Sequence, residues 1–468
     1  MKIANLSATE LAGLYRTKQL SPVEVAKDHL ARRDQHEPQI NAFVVRFHDE
    51  VIEAAKQSES RWQMGSPLSA LDGVPITIKD NLVVKGVPCR RGSAVSSDHN
   101  EPEDSPVAAR LREAGTLLLG KTTMPEYGWK GLSDSPLTGL TRNPWNLAMT
   151  TGGSSAGAAA CAALNIGCIH LGTDGAGSVR IPAAFTGVFG LKPTYGRVPA
   201  WPASTMGFLA HLGPLTRTVD DAARTMHVIA QPDHRDMNAV LAGSLGPDAP
   251  ESVRGLRIAW SPKLGGSVHL DPDVAALTEA AAKKFADLGA HVEAADPDFV
   301  DPVEMLNTLW FAGAALALRS FTAEQKQRMD PGLVAIAEAG AKTSGSDYCD
   351  ALLLKRNALA VTMARFHERY DLLLTPTMPL PAFNVGQLMP EPNPYGSEWT
   401  GWSPFTYPFN LTQQPASSVP CGLTRGGMPV GLQIVGRFGA DNDVLMASRA
   451  IEAALGFTPL DAPRGSAS

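Results

Sequence analysis

Two stretches rich in glycine and serine carry the residues best suited to chemistry. They are residues 152–157 (GGSSAG) and residues 172–183 (GTDGAGSVRIPA). Backbone N–H groups in such turns can bind a phosphate, or the oxyanion that forms when a nucleophile attacks a carbonyl group. Neither stretch has the GxxxxGK[ST] or GxGxxG pattern of a phosphate-binding loop in its usual setting. Because Ser178 directly follows three small residues at 175–177, the second stretch predicts a nucleophilic serine beside an oxyanion hole.

A serine hydroxyl needs a base that removes its proton before it attacks. Histidine is the usual base, but among the eleven histidines only His170 lies within eight residues of Ser178. Folding could bring a distant histidine to the serine, so spacing leaves that alternative open. The other candidate base is a lysine that burial keeps neutral. Lys79 directly follows the apolar run 74–78, and it is the lysine for which burial is expected.

Seven segments resemble the amidase signature family, and they follow one another in the family's order. They are residues 73–81 (GVPITIKDN), 141–146 (TRNPWN), 152–157, 172–183, 190–196 (GLKPTYG), 211–218 (HLGPLTRT) and, more loosely, 429–433 (PVGLQ). The resemblance therefore spans nearly the whole chain. It implies a Ser–cis-Ser–Lys triad in which Ser178 is the nucleophile, Ser154 relays the proton after a cis peptide bond, and Lys79 is the base.

The resemblance also assigns roles to the groups around the triad. The oxyanion hole would be formed by the backbone N–H groups of Gly175, Ala176, Gly177 and Ser178. The loops would be braced by Ser155, Asp174 and Arg180. One position departs from the family, whose loop commonly reads Asp-Ile-Gly-Gly-Ser, because this chain carries Ala176 before Gly177. The added methyl group removes no N–H donor, but it puts the geometry of the donors in question.

Aromatic residues near these motifs suggest a substrate pocket. The predicted pocket residues are Trp129, Thr151, Thr173, Trp399, Trp402 and Tyr407. The last three lie in residues 386–415, a long stretch rich in proline, glycine and aromatic residues. Irregular segments of this length are more often functional than merely connecting. We therefore expect residues 386–415 to form a loop on the substrate side.

The sequence predicts alternating strands and helices as the elements that position these residues. Short apolar runs punctuated by glycine and proline alternate with amphipathic stretches, which predicts an α/β fold with a mixed or parallel sheet covered on both faces. We expect an α/β/α sandwich around a large mixed β-sheet, the amidase signature fold, in a single domain over residues 1–468. Residues 1–65 are predicted as an N-terminal helical layer, with capping boxes at Ser7 and Ser21, and residues 71–220 as the signature core.

Composition excludes several other classes of protein. The 468 residues include 43 Gly and 36 Pro, and only 19% are charged, which argues against a coiled coil or a disordered polymer. A net charge of −6 without a dense basic run argues against nucleic-acid binding. Apolar runs are too short to span a membrane, and no secretory signal is visible. Five cysteines without CxxC spacing fit a reduced, cytoplasmic protein with no metal and no cofactor.

The expected substrate is a small amide or a carbamate (urethane), cleaved through an acyl-enzyme by a monomer or homodimer. An aryl acylamidase or a urethanase-like enzyme fits the motifs. One alternative is the glutamine-hydrolysing subunit of a tRNA-dependent amidotransferase, whose pattern includes a Ser-Leu-Asp-Gln-Ile-Gly-Pro-like run. Residues 209–214 read LAHLGP in the corresponding place, which favours a stand-alone enzyme. A second alternative is a catalytically silent binding protein on the same fold.

Overall fold

A mixed sheet of eleven strands runs through the computed structural model, which describes residues 2–239 and 252–456. The strands are β1 (Phe43–Arg46), β2 (Pro75–Lys79), β3 (Leu117–Thr122), β4 (Ile169–Asp174), β5 (Phe189–Lys192), β6 (His211–Thr216), β7 (Arg257–Trp260), β8 (His291–Ala294), β9 (Leu372–Pro376), β10 (Ala416–Leu423) and β11 (Pro429–Gly436). Two short two-stranded sheets, within residues 134–150, lie outside it.

Strand directions make the sheet mixed, as the sequence predicted. The order is β1-β3-β2-β4-β6-β5-β10-β11-β9-β7-β8. Strand β2 is parallel to both β3 and β4, and β7 is parallel to both β8 and β9. The other neighbouring pairs are antiparallel. The carboxyl ends of β2 and β4 therefore meet at one edge, which brings Lys79 toward the glycine-rich segment that follows β4.

Helices cover both faces of this sheet. They are α1 (Ala8–Arg16), α2 (Pro22–Ile40), α3 (Asp49–Gln63), α4 (Pro106–Glu113), α5 (Ala156–Ala163), α6 (Arg180–Thr186), α7 (Val219–Ile229), α8 (Pro272–Asp287), α9 (Val303–Leu318), α10 (Ala323–Lys326), α11 (Pro331–Gly340), α12 (Gly345–Cys349), α13 (Arg356–Arg369), α14 (Pro408–Leu411) and α15 (Asp441–Leu455). Alternate side chains of a strand point to opposite faces. In β9, Leu372 packs in the cluster that contains Phe285 of α8, whereas Leu373 packs in the cluster that contains Phe366 of α13. The α/β/α arrangement is thereby confirmed.

The N-terminal region follows its predicted helix starts but contains an unpredicted strand. Both capping boxes form, with Ser7 bonded to Glu10 and Ser21 bonded to Glu24 through backbone and side chain. Strand β1 lies between α2 and α3 and pairs antiparallel with β3, so residues 1–65 are not wholly helical. Four residues on a sheet edge are too few to show a clear alternation of apolar and polar positions in sequence.

Neither a membrane-spanning helix nor a metal-binding cluster is found in residues 2–239 and 252–456. No helix in these ranges has the length and apolar character needed to cross a membrane. In the same ranges, no three His, Cys, Asp or Glu side chains are grouped so that they could hold a metal ion.

Candidate active site

Lys79 is buried at the carboxyl end of β2 and points at both serines of the GGSSAG segment. Its Nζ donates to Ser154 Oγ at 2.7 Å, to Ser155 Oγ at 3.1 Å and to Thr173 Oγ1 at 3.0 Å. Burial lowers the pKa of Lys79 to about 7, although the negative charge of Asp174 opposes that shift. A substantial fraction of the amine is therefore neutral near pH 7 and can accept a proton.

Histidine does not occupy this position. His170 lies inside β4 with Nδ1 bonded to the Thr77 hydroxyl, and burial lowers the pKa of His170 to about 3. Among the described residues, no histidine forms a hydrogen bond with Ser178. The alternative of a histidine base brought in by folding is not supported by this geometry.

Ser154 follows a cis peptide bond, as the resemblance implied. The bond joins Gly153 to Ser154. Position 153 admits only glycine, because a Cβ there would lie 1.8 Å from the backbone oxygen of Leu132. Ser155 precedes α5, yet its hydroxyl makes no capping bond. That hydroxyl instead contacts Lys79 and donates to the backbone oxygen of Thr173 at 3.2 Å, so it braces the lysine against the loop after β4.

Ser178 lies between β4 and α6, at the wall of a cavity. Its backbone oxygen accepts from Ser155 N–H at 3.1 Å, and the residue is 5% exposed. Within the described chain its Oγ forms no hydrogen bond, and in particular none with Ser154 Oγ. Ser154 and Ser178 line the same cavity, and the hydrogen bond that the predicted relay needs between their hydroxyl groups is not formed. Catalytic hydrogen bonds are often long before substrate binds.

The predicted oxyanion hole needs one correction. Gly177 N–H donates to the carboxylate of Asp174 at 2.7 Å, so this group is not free to bind an oxyanion. The N–H groups of Gly175, Ala176 and Ser178 have no acceptor among the described residues. Gly175 also lines the cavity, and a Cβ there would lie 2.8 Å from the Trp310 ring. Three of the four predicted donors therefore lack a protein acceptor, and two of the residues that carry them, Gly175 and Ser178, line the cavity.

The methyl group of Ala176 leaves the donors undisturbed. Ala176 is fully buried and belongs to an apolar cluster behind the loop. Its φ does not fall in the left-handed region, where a side chain would be strained. Its carbonyl oxygen accepts from Thr406 Oγ1 at 2.7 Å, which fixes the direction of the peptide group.

A buried ion pair holds this loop from behind. Arg180 and Asp174 are both fully buried, with Arg180 Nη2 2.9 Å from Asp174 Oδ1. Burial alone would raise the pKa of the Asp174 carboxyl, but the Arg180 guanidinium holds it well below its usual range. Arg180 also donates to Gln433 Oε1 at 2.8 Å and to Asn410 Oδ1 at 2.5 Å. Both charged groups are thus satisfied inside the protein, which fits the predicted bracing role and leaves neither of them facing the cavity.

The cavity beside Ser178 has a volume of about 530 Å³. Among the predicted pocket residues only Thr173 lines it. Its aromatic and sulfur-bearing walls, which the sequence did not reveal, are Met124, Tyr127, Trp201, Met206, Trp310 and Phe321.

The other predicted pocket residues lie elsewhere. Four aromatic residues are buried in the apolar cluster that contains Ala176: Trp129, Trp399, Trp402 and Tyr407. Thr151 is also buried, and its hydroxyl group donates to the backbone oxygen of Gly152. Residues 386–415 also do not line the cavity, so its walls give no support to their prediction as a substrate-side loop. This segment contains a 3₁₀ turn at Trp399–Trp402 and helix α14, and it braces residues 174–180 through Thr406 and Asn410. Burial of its large aromatic surface decides its position.

Comparison with known proteins gives a consistent result. The sequence model of one family, described as Amidase, matches residues 24–445. An acylamidase from Rhodococcus erythropolis is 38% identical over 96% of this chain and 95% of that protein. A glutamyl-tRNA(Gln) amidotransferase subunit from Symbiobacterium thermophilum is 35% identical over 96% of each. The crystal structure of a bacterial aryl acylamidase of the amidase signature family has a TM-score of 0.88 and 32% identity, over 97% of this chain and 96% of that chain.

Proposed function

Since this chain belongs to the amidase signature family and is an amide-hydrolysing enzyme, we propose that Ser178 is its nucleophile, Ser154 its proton relay and Lys79 its base. The observation that carries this assignment is the 2.7 Å hydrogen bond between Lys79 Nζ and Ser154 Oγ, made by a lysine that burial leaves partly neutral.

In the first half of the reaction, Ser178 Oγ attacks the amide carbonyl carbon. Its proton passes to Ser154 Oγ while the proton of Ser154 passes to the neutral amine of Lys79. The negative charge that develops on the carbonyl oxygen is bound by free N–H groups of residues 175, 176 and 178. Each such donor typically contributes about 10²–10³ in rate.

In the second half, the C–N bond breaks and the amine leaves with the proton returned through Ser154. The acyl group is then an ester of Ser178. Water attacks this ester, gives its proton along the same path, and releases the carboxylic acid and free Ser178. A carbamate follows the same path and gives an amine, CO₂ and an alcohol.

The walls of the cavity favour an amide with an apolar or aromatic body. Tyr127, Trp201, Trp310 and Phe321 present ring surface on several sides of the cavity. Burial of ring surface there favours binding through the hydrophobic effect. Acylamidase activity on anilides is therefore the substrate class that we propose first, with small carbamates second.

The test is a panel of anilides, aliphatic amides and carbamates with wild type, Ser178→Ala and Ser66→Ala, in which an exposed surface serine is replaced. Wild type and Ser66→Ala should hydrolyse anilides equally, and Ser178→Ala should lose about 10³-fold or more in kcat. Mass spectrometry of quenched reactions should find the acyl group on the peptide that contains Ser178. Full activity of Ser178→Ala on every amide would reject this assignment.

The similarity to a glutamyl-tRNA(Gln) amidotransferase subunit favours a second candidate, hydrolysis of glutamine together with a partner protein. Steady-state glutaminase activity of the isolated chain separates the two. The acylamidase proposal expects a kcat/KM for glutamine at least about 100-fold below that for an anilide, because glutamine offers no aromatic surface to the cavity walls. A higher value for glutamine would favour the second candidate.

A further inference from the structure

A single charged side chain lines the cavity beside Ser178. Of the described residues that form its wall, Arg91 alone carries a charge. No described carboxylate pairs with its guanidinium group. The adjacent Arg90 provides a contrast, because it does not line the cavity and its Nη1 lies 2.9 Å from Asp98 Oδ1. Arg91 thus offers a cation to the cavity that the surrounding protein does not neutralise.

Arg91 lines the same cavity as the aromatic residues Tyr127 and Phe321. Burial raises the pKa of the Tyr127 phenol, and the positive charge of Arg91 opposes that rise. The Tyr127 ring in turn packs edge-on against Phe321, with ring centroids 6.1 Å apart. A ligand in the cavity would therefore meet aromatic surface and a cation side by side.

The backbone that carries Arg91 is held rigidly in a strained conformation. Arg91 and Tyr127 have φ of 54° and 51°, a left-handed region that side chains rarely adopt. The Arg91 carbonyl oxygen accepts from Tyr127 N–H at 2.8 Å, and Gly92 N–H donates to Asp80 Oδ2 at 2.9 Å. Strain of this kind persists where surrounding contacts enforce it, and it clusters at functional sites. Because Asp80 directly follows Lys79, the position of Arg91 is tied to that of the base.

We propose that Arg91 binds a carboxylate of the substrate, so that the preferred substrate is an amide with an apolar body and an anionic group. The proposal rests on the function proposed above and adds the charge of the substrate to it. A guanidinium group presents a planar pair of N–H donors that matches a carboxylate with two parallel hydrogen bonds. The apolar walls beside it exclude water, which strengthens that attraction.

The carboxylate could sit on either side of the scissile amide, and two substrate pairs distinguish the sides. For the amine side, 4-acetamidobenzoate is compared with 4-acetamidoacetophenone. For the acyl side, N-phenylsuccinamate is compared with N-phenyl-4-oxopentanamide. In each pair a methyl ketone replaces the carboxylate with little change in shape. The quantity measured is the preference, which is kcat/KM for the acid divided by kcat/KM for the ketone.

We expect the wild type to prefer the acid in at least one pair. Arg91→Gln should lower that preference about 10- to 100-fold, the usual effect of losing a hydrogen bond between charged groups. Arg91→Lys keeps the charge and should retain most of the preference, and Arg90→Gln should leave it unchanged. Raising the salt concentration to about 1 M should lower the preference of the wild type, because counterions screen the attraction between the guanidinium group and the carboxylate.

Two results would overturn the proposal: a wild type that prefers the ketone in both pairs, or an Arg91→Gln variant that changes acid and ketone equally. Calorimetric titration of 4-acetamidobenzoate and of N-phenylsuccinamate into Ser178→Ala, with and without Arg91→Gln, reads the binding of each acid without turnover. Equal affinity of those two proteins for both acids would also count against it. If Ser178→Ala still hydrolyses every amide, the catalytic assignment fails, while the titration continues to report on Arg91.

Discussion

The pH dependence of catalysis is the sharpest consequence of the buried lysine. Burial lowers the pKa of Lys79 from 10.5 to about 7. At pH 7 about half of the Lys79 amine is then neutral, whereas an ordinary lysine would be neutral in only about one molecule in 3000. The neutral fraction falls to about 10% at pH 6 and reaches about 90% at pH 8.

The assay is kcat/KM for a neutral anilide between about pH 5.5 and 9.5, which reports groups of the free enzyme. We expect kcat/KM to rise about tenfold per pH unit below pH 6 and to level off by about pH 8. The direction follows from the role of the base, because only the unprotonated amine can accept the proton. A neutral substrate keeps Arg91 and the charge of the substrate out of the measurement.

A second group titrates in the same range and supplies the control. Burial raises the pKa of Glu452 to about 7, but Glu452 lies on α15, where its Oε1 accepts from Val219 N–H at 2.9 Å. Glu452→Gln keeps that acceptor and should leave the pH profile unchanged. Lys79→Met should lose about 10²–10⁴-fold in kcat, the usual contribution of a general base.

Two outcomes would refute this reasoning. A kcat/KM that is flat across the whole pH range would mean that no base with a pKa near 7 limits the reaction. A kcat/KM that still rises above about pH 9 would mean that Lys79 keeps the pKa of an exposed lysine, so that burial does not tune it.

Further predictions concern the walls and the bracing of the site. Trp402→Ala should lower the free energy of unfolding by about 3–5 kcal/mol with little change in KM, because Trp402 is fully buried behind the site; denaturant titration and anilide kinetics check this. Trp201→Ala should show the reverse, a KM for anilides raised about tenfold with a nearly unchanged Tm, since Trp201 lines the cavity. Arg180→Met should lower the free energy of unfolding by about 3–5 kcal/mol by leaving the Asp174 charge buried without its partner. Gly177→Ala should lower both kcat and Tm, because φ is 125° there and a Cβ would lie 2.5 Å from Thr406 Oγ1. An unchanged kcat in Gly177→Ala, or a raised KM in Trp402→Ala, would contradict the loop and wall positions described above.

Local pattern predicted much of the secondary structure, and the misses have physical reasons. Residues 291–294 and 272–288 have the local patterns of a strand and a helix, and β8 and α8 lie there. Strands β6 and β10 lack the local pattern of a strand. Each contains proline and glycine, which usually mark a turn or a sheet edge, whereas here both strands lie inside the sheet. Pairing on both sides overrides the local preference in such strands.

The candidate triad could be predicted from the sequence, because its residues lie in short segments whose backbone conformation allows few residue types. Glycine is required at positions 152, 153, 175 and 177 by a positive φ or by a contact that a Cβ would make too close. The glycine content of these segments therefore predicts the tight loops around Ser154 and Ser178. The lowered pKa of Lys79 was also expected from its apolar strand, since burial alone is its cause.

The tertiary structure alone decided which groups face the cavity. An aromatic side chain contributes equally to a cavity wall or to a core, and its own segment does not distinguish the two. Trp399 and Trp402 are buried in an apolar cluster and do not line the cavity, whereas Trp201 and Trp310, from segments far apart in sequence, both line it. The same holds for the backbone donors. Only the folded loop shows that the Asp174 carboxylate accepts a hydrogen bond from Gly177 N–H, while the N–H groups of the neighbouring residues have no acceptor in the described chain. Sequence determined the candidate reacting groups because they obey local rules, and packing decided their surroundings because those depend on contacts between distant residues.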